Sequence, residues 1–210
     1  MRVRLALRYA VDGDLRFLSH HDSLRLFERA LVRAGLPVRY SEGFNPRPRL
    51  SIVLPRPVGV ASQDELVVVQ LTTEVDPTDA VSRLSRQVPD GLTVLAAELI
   101  TADDKRIPRE AHYELELEPT LTAAVTERAA ELLSKDRLDI ARTSPKADAA
   151  KTVDIRQYLT SMAVADGRLR WAQAITPTGT ARPQEVLEAL DLPSREHLHR
   201  LRRVRVEYLP

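Results

Sequence analysis

The sequence predicts an α+β protein of two ferredoxin-like halves, each a βαββαβ run that forms an antiparallel sheet with helices packed on one face. Three observations predict it. Segments that alternate apolar and polar residues are separated by segments whose apolar residues recur at helical spacing. The order of these segments in the first half reads β-α-β-β-α-β, with an elaborated middle. A similar order returns in the second half without sequence identity, so the duplication is one of pattern. The boundaries follow: an N-terminal half over 1–100 with a basic motif at 16–49, a connector at 101–110 and a C-terminal half over 111–210. One continuous sheet is the alternative arrangement.

Residues 2–11 set Val3, Leu5, Leu7 and Tyr9 against Arg2, Arg4 and Arg8, which makes a strand with one apolar face. Asp-Gly-Asp at 12–14 is a turn. Ser19 and Asp22 have the spacing of a capping box, with Asp in place of the preferred Glu. Leu24, Phe27, Leu31 and Ala34 share a helical face, and Gly35 and Pro37 end that helix. Residues 38–40 read as a short strand, and 50–54 and 65–72 as strands, the last almost continuously apolar and so central. A short helix over 77–89 enters with Pro77 in its first turn, and a strand follows at 92–100.

In the second half, 111–118 alternates as a strand and 120–135 is an amphipathic helix. A short strand at 137–142 leads to a loop of small and polar residues over 143–152. Residues 153–175 are extended around an Ala-Asp-Gly-Arg turn, 182–192 is a helix and 202–209 a closing strand.

The 210 residues suffice for one large domain or two small ones, and 43% hydrophobic against 4% aromatic residues gives an aliphatic core. The net charge of +1 does not announce a nucleic-acid binder. Its distribution is uneven, however. Residues 1–59 hold eleven Arg, no Lys and five acidic residues, a net of +6; residues 60–194 carry −8 and the last sixteen +3. That asymmetry implies a one-sided field. A general preference for Arg explains 27 Arg against 4 Lys but not their clustering.

The chain has no Cys, which excludes disulfides, iron–sulfur clusters, zinc–thiolate sites and Cys nucleophiles. The N-terminus is charged from Arg2 and lacks a signal peptide's apolar core. No apolar run approaches the ~20 residues of a membrane span. The expected location is cytoplasmic, with no membrane partner.

Arg25, Arg29 and Arg33 are spaced by four and share a helix face, with Arg16 just before and Arg39, Arg47 and Arg49 just after. They read as a cleft for phosphates or another anion, or as a solvated face that Asp22 and Glu28 partly neutralise. Ser19, His20, His21 and Asp22 occupy the first helical turn, where free backbone N–H groups favour anions. His20 with Asp22 is a candidate catalytic acid/base pair; plain capping by Ser19 is the alternative. The spacing of a helical metal site is missing, so no metal is expected.

The loop Tyr-Ser-Glu-Gly-Phe-Asn-Pro-Arg-Pro-Arg-Leu at 40–50 is stiffened by Pro46 and Pro48 and turned by Gly43. It supplies Tyr40, Ser41, Phe44, Asn45, Arg47 and Arg49 as candidate ligand contacts. Phe44 either stacks on a base or plugs the loop against the core. Further on, Asp154, Arg156 and Tyr158 are expected on one face of a strand, and Arg182 stands at a helix entry after a Gly/Thr loop that lacks the P-loop layout.

Residues 17–22 (Phe-Leu-Ser-His-His-Asp), 28–37 (Glu-Arg-Ala-Leu-Val-Arg-Ala-Gly-Leu-Pro) and 40–48 together resemble the DUF2344 family of radical SAM-linked proteins. The likeness runs on through Pro-Val-Gly-Val at 57–60 and resumes at 153–158 and 181–190. Arg47 and His21 depart from the family pattern. The resemblance implies a radical SAM protein as partner and supplies no reaction and no cofactor. Lacking Cys, the chain has no thiolates for such an enzyme's cluster. The expected role is that of an accessory or substrate-binding protein that holds an anionic substrate, such as RNA, in the Arg-rich cleft. A stand-alone non-redox enzyme using His20 and Asp22, or a protein–protein adaptor, are the alternatives.

Overall fold

The computed structural model describes residues 3–101, 103–142 and 151–209. The loop expected at 143–152 therefore lies outside the described residues up to position 150. The described chain is α+β, with antiparallel strand pairings and five α-helices. None of those helices is long and apolar enough to cross a membrane. Two compact units divide the chain, one of residues up to 108 together with those from 208 onward, the other of residues 109–207.

The first unit holds β1 (Val3–Val11), α1 (His20–Arg33), β2 (Leu50–Ile52), β3 (Ala61–Leu71), α2 (Pro77–Ser85) and β4 (Leu92–Ile100). β1 pairs antiparallel with β3 and β4, and β2 pairs antiparallel with β3, giving the order β4-β1-β3-β2. The register sets Leu5 opposite Val69 and Leu7 opposite Val67. Strand alternation turns these four, with Tyr9, to the side where they pack with Leu26, Phe27, Ala30 and Leu31 of α1 and with Ala80 and Leu84 of α2. Tyr9 and Phe27 meet edge to face at 4.7 Å. Ala6, Leu66, Val68 and Ile100 form a smaller cluster on the opposite face. β3 is thus apolar on both faces, which is why its sequence barely alternates.

The ends of α1 follow from its flanking residues. The Ser19 hydroxyl accepts the Asp22 N–H at the N-cap. At the other end Gly35 takes φ +62, its N–H reaches the Val32 carbonyl and the Leu36 N–H reaches the Leu31 carbonyl. This is a Schellman motif, sealed by buried Leu36 and Leu31. The expected turn at 12–14 instead opens a 3-10 turn over Gly13–Phe17, capped by the Asp12 carboxylate. The expected strand at 38–40 reduces to two isolated bridges, Val38 to Leu71 and Tyr40 to Pro48. Leu24, expected in the core face, is only partly buried, and Leu26 and Ala30 take the interior positions.

The second unit holds β5 (Pro108–Glu116), α3 (Pro119–Ser134), β6 (Asp139–Arg142), β7 (Lys151–Asp154), β8 (Leu159–Ala165), β9 (Arg168–Ala174), α4 (Pro183–Ala189), α5 (Ser194–His197) and β10 (Arg202–Tyr208). Its strands run in the order β10-β5-β9-β8, with β6 and β7 paired apart from them. Asp166 and Gly167, both at positive φ, make the tight turn between β8 and β9. Tyr113 stacks on Trp171 at 5.1 Å, directly across the β5–β9 ladder.

The polar row expected at 153–158 does not form. β7 ends at Asp154, whose carboxylate accepts the N–H groups of Leu138 (2.9 Å) and Arg156 (3.0 Å). The side chain so competes with the ladder, and the chain turns into a 3-10 segment over Arg156–Tyr158.

Candidate nucleic-acid interface

The arginines of α1 meet the end of α2. Arg25, Arg29 and Arg33 line an open pocket of about 750 Å³ together with Arg86 from the C-cap of α2, and Leu18 and Val88 supply apolar wall. Asp22 is the one carboxylate among the lining residues. It stands 3.8 Å from Arg25 in an exposed pair, a contact worth little in water. Arg33 donates to the Gln87 carbonyl (2.7 Å) and Arg86 to the Ser82 carbonyl (3.2 Å). Both keep their full charge, because a carbonyl does not neutralise a guanidinium. Arg29 is exposed and has no side-chain partner among the described residues. Four guanidiniums around one depression form a basic concave surface suited to phosphate.

The loop after α1 is closed by its own ends. Tyr40 bridges Pro48, the Ser41 N–H donates to the Arg47 carbonyl at 2.8 Å, and the Arg47 N–H returns to the Ser41 hydroxyl at 3.0 Å. Gly43 sits at φ +121, a conformation open to glycine, and a Cβ there would touch nothing. Phe44 at the tip is 105% exposed, so it is not the hydrophobic plug that was one of its two readings. Asn45 and Arg47 are exposed beside it, and Tyr40 is largely so. Arg49 turns back into a separate pocket with Ser41.

The remaining first-unit residues, His20 apart, have structural partners. Arg16 donates to the Gly13 carbonyl (2.8 Å) and pairs with Asp12 (2.9 Å). Ser19 accepts from Asp22 N and donates to Asp22 Oδ2 at 2.7 Å. Asp22 thus gives its oxygens to Ser19 and Arg25, and no Asp22–His20 dyad forms. His20 lines a cavity of about 20 Å³, room for a single water, and its buried Nδ1 has no partner. The site residues proposed from sequence are therefore not gathered in one cleft. Arg25 and Arg29 share the basic pocket, Ser41 and Arg49 a second, and His20 a third; Tyr40, Phe44, Asn45 and Arg47 line none of these.

In the second unit the four sequence candidates hold up the fold. Arg156 donates to the carbonyls of Leu133 (2.8 Å), Lys135 (3.0 Å) and Leu159 (3.0 Å), satisfying the open end of α3. Asp154 carries the turn described above. Tyr158 is buried, with its hydroxyl near Gly179. Arg182 is the N-cap of α4, where its N–H donates to Glu185 at 2.8 Å.

Two features escaped sequence reasoning. Arg86 completes the basic pocket, but it lies 53 residues from Arg33, beyond any local pattern. The other is Glu110, His112 and Glu207, which bring one ligand atom each to within 4.8 Å of one another. Glu110 and His112 alternate on β5, which is a legible signal; Glu207 comes from β10. Arg109 and Arg205 engage both Glu207 oxygens, at 2.6 and 3.1 Å. The hydrogen bond from Arg109 holds the Glu207 carboxyl below the usual carboxylate range. With the Glu207 carboxylate already neutralised by two arginines, the trio reads as part of an ion-pair network that a cation would have to break.

The family model described as "Uncharacterized protein conserved in bacteria (DUF2344)" matches residues 4–188. The chain belongs to the DUF2344 family. The matched span takes in both the basic pocket and the 40–49 loop, so both lie within DUF2344 sequence. No curated protein matches this DUF2344 chain. Among solved structures it is similar to an unknown protein from Galdieria sulphuraria, at 16% identity and a TM-score of 0.27, covering 100% of this chain and 99% of that one.

Proposed function

We propose that this chain is a substrate-binding accessory protein that holds a polyanion, RNA by preference, for a radical SAM enzyme. The observation that carries the reading is the pocket in which Arg25, Arg29, Arg33 and Arg86 face a single carboxylate. Phosphate contacts of this kind supply most of the affinity for nucleic acid. The fully exposed Phe44 favours RNA over a small anion, because a free aromatic face stacks unpaired bases. The radical SAM partner rests on the family likeness of residues 17–48, and the absence of Cys assigns the cluster to that partner.

The strand orders support a ferredoxin-like reading of both halves. β4-β1-β3-β2 in the first unit recurs as β10-β5-β9-β8 in the second, with β6 and β7 inserted between α3 and β8. Reading His20 and Asp22 as an acid/base pair has weaker support, because Asp22 is held by Ser19 and Arg25.

Binding of a single-stranded oligoribonucleotide, titrated with salt, tests the proposal. Wild type should weaken steeply as salt rises. Arg25→Ala with Arg29→Ala should lower the log–log slope by about 0.7 for each phosphate the variant no longer neutralises. Affinity that is independent of salt, or equal in wild type and the double variant, would overturn it. Capture of a radical SAM protein that persists in high salt and nuclease would point to the adaptor instead.

A further inference from the structure

The other face of the first unit's sheet carries a second polar pocket. Alternation along β1 and β3 turns Leu5 and Val69 towards the helices, so Arg4, Val68 and Gln70 point away from them. With Ser41, Arg49 and Ser51 they line a pocket of about 390 Å³ at the foot of the 41–47 loop. That volume lies within the range of about 300–1,000 Å³ for small-ligand sites.

Two of its polar atoms lack partners. Arg49 Nε and Gln70 Oε1 are buried with no hydrogen bond. Buried polar groups are almost always satisfied, and leaving a charged donor unpaired is costly. Yet the backbone holds both residues in place: the Gln70 N–H donates to the Arg49 carbonyl at 2.8 Å, and the Arg49 N–H donates to the Arg39 carbonyl at 2.8 Å. The pocket thus keeps an unpaired guanidinium Nε–H and an unpaired amide oxygen on residues whose backbones are hydrogen-bonded in place.

The chemistry of the lining selects the ligand. Arg49 brings one positive charge and Arg4, which also donates to the Asp104 carbonyl at 2.9 Å, a second; no carboxylate is among the lining residues. The Ser41 hydroxyl oxygen already accepts from the Arg47 N–H, which leaves its proton to donate inward. The Gln70 amide presents N–H donors when turned over, since its oxygen and nitrogen exchange places by a flip about one bond. Donors and cations without a competing anion make a site for a tetrahedral oxyanion. We propose that this pocket binds a phosphate group, at a site distinct from the basic pocket of α1 and α2 and on the opposite face of the sheet. Phosphate carried by an RNA chain, by a mononucleotide or free in solution presents the same oxygens to these donors.

Calorimetric titration of the full chain with inorganic phosphate, a 5′-mononucleotide and a single-stranded oligoribonucleotide tests the site and separates its sources. At least one probe should bind saturably, and Arg49→Ala should weaken that probe about tenfold or more, the effect of losing one charge-assisted hydrogen bond. Gln70→Met, which keeps the side-chain length, should also weaken it while far-UV circular dichroism stays unchanged. The tightest of the three probes names the source. Phosphate or mononucleotide binding that survives Arg25→Ala with Arg29→Ala separates this site from the basic pocket, so either can fail alone. If none of the probes binds saturably, or if Arg49→Ala and Gln70→Met both bind every probe as tightly as wild type, the assignment is overturned.

Discussion

Arg142 and Glu185 form a two-point pair, Nε to Oε1 at 2.6 Å and Nη2 to Oε2 at 2.7 Å, in which the Glu185 side chain is 8% exposed. The hydrogen bonds to Glu185 raise the Arg142 guanidinium further above its ordinary pKa. Arg142 also donates to the Thr180 carbonyl at 2.7 Å, and Glu185 accepts the Arg182 N–H. Arg142→Ala leaves that carboxylate with only the exposed Arg182 guanidinium, 3.9 Å away. It should destabilise the chain by about 2–4 kcal/mol, since breaking a buried pair strands the remaining charge. Chemical denaturation measures this. A loss under about 0.5 kcal/mol would class the pair with weak surface bridges.

Phe44 makes the opposite prediction. Its side chain is fully exposed at the tip of a self-closed loop. Phe44→Ala should leave stability within about 0.5 kcal/mol of wild type. It should weaken binding of single-stranded RNA by about 1–3 kcal/mol, the loss of one base stack. Unchanged affinity would remove Phe44 from the interface.

Arg156 should behave as a structural residue. It satisfies the Leu133 and Lys135 carbonyls at the end of α3 and the Leu159 carbonyl at the start of β8. Arg156→Ala should cost about 2–3 kcal/mol, and about 5–10 °C in Tm for a chain of this size, with RNA affinity unchanged. A variant with wild-type Tm and impaired binding would make Arg156 a ligand-binding residue after all.

Acid should destabilise the chain through named groups. Glu207, hydrogen-bonded by Arg109, and Glu131, hydrogen-bonded by Lys135 and Arg128, both have carboxyl pKa values lowered from 4.5 in the folded state. A carboxyl lowered by folding adds stability in full above its unfolded value and loses it as pH falls through the folded value. Tm should therefore be flat from neutral pH down to about 5 and fall below 4.5. Glu207→Gln should make that fall shallower while lowering Tm at neutral pH. An identical acid limb in the variant would mean that Glu207 contributes nothing to it.

Much of the fold was legible because local patterns decide it. The strand at 92–100 matches β4 to the residue, and Ser19 and Gly35 mark the two ends of α1. The reading failed where a single side chain redirects the backbone: the Asp154 carboxylate ends β7 and sends Arg156 into a 3-10 turn that simple alternation hides. The site was half legible. Spacing by four puts Arg25, Arg29 and Arg33 on one face, but tertiary packing alone brings Arg86 to them. Whether Phe44 pointed inward or outward was not encoded in its neighbours, because an isolated aromatic between Gly43 and Asn45 suits either.

The 41–47 loop is tied at its base by Ser41 and Arg47 and free at its tip. Residues 42–46 are all exposed, so apart from Gly43, whose φ of +121 calls for glycine, they are a cassette that the core does not constrain. With Gly43 retained, the tip can be exchanged for another stretch of equal length and the scaffold beneath will still assemble. Binding preference could then be rewritten there in a few substitutions, as in antibody loops, while the α1 arginines keep the general affinity for anions.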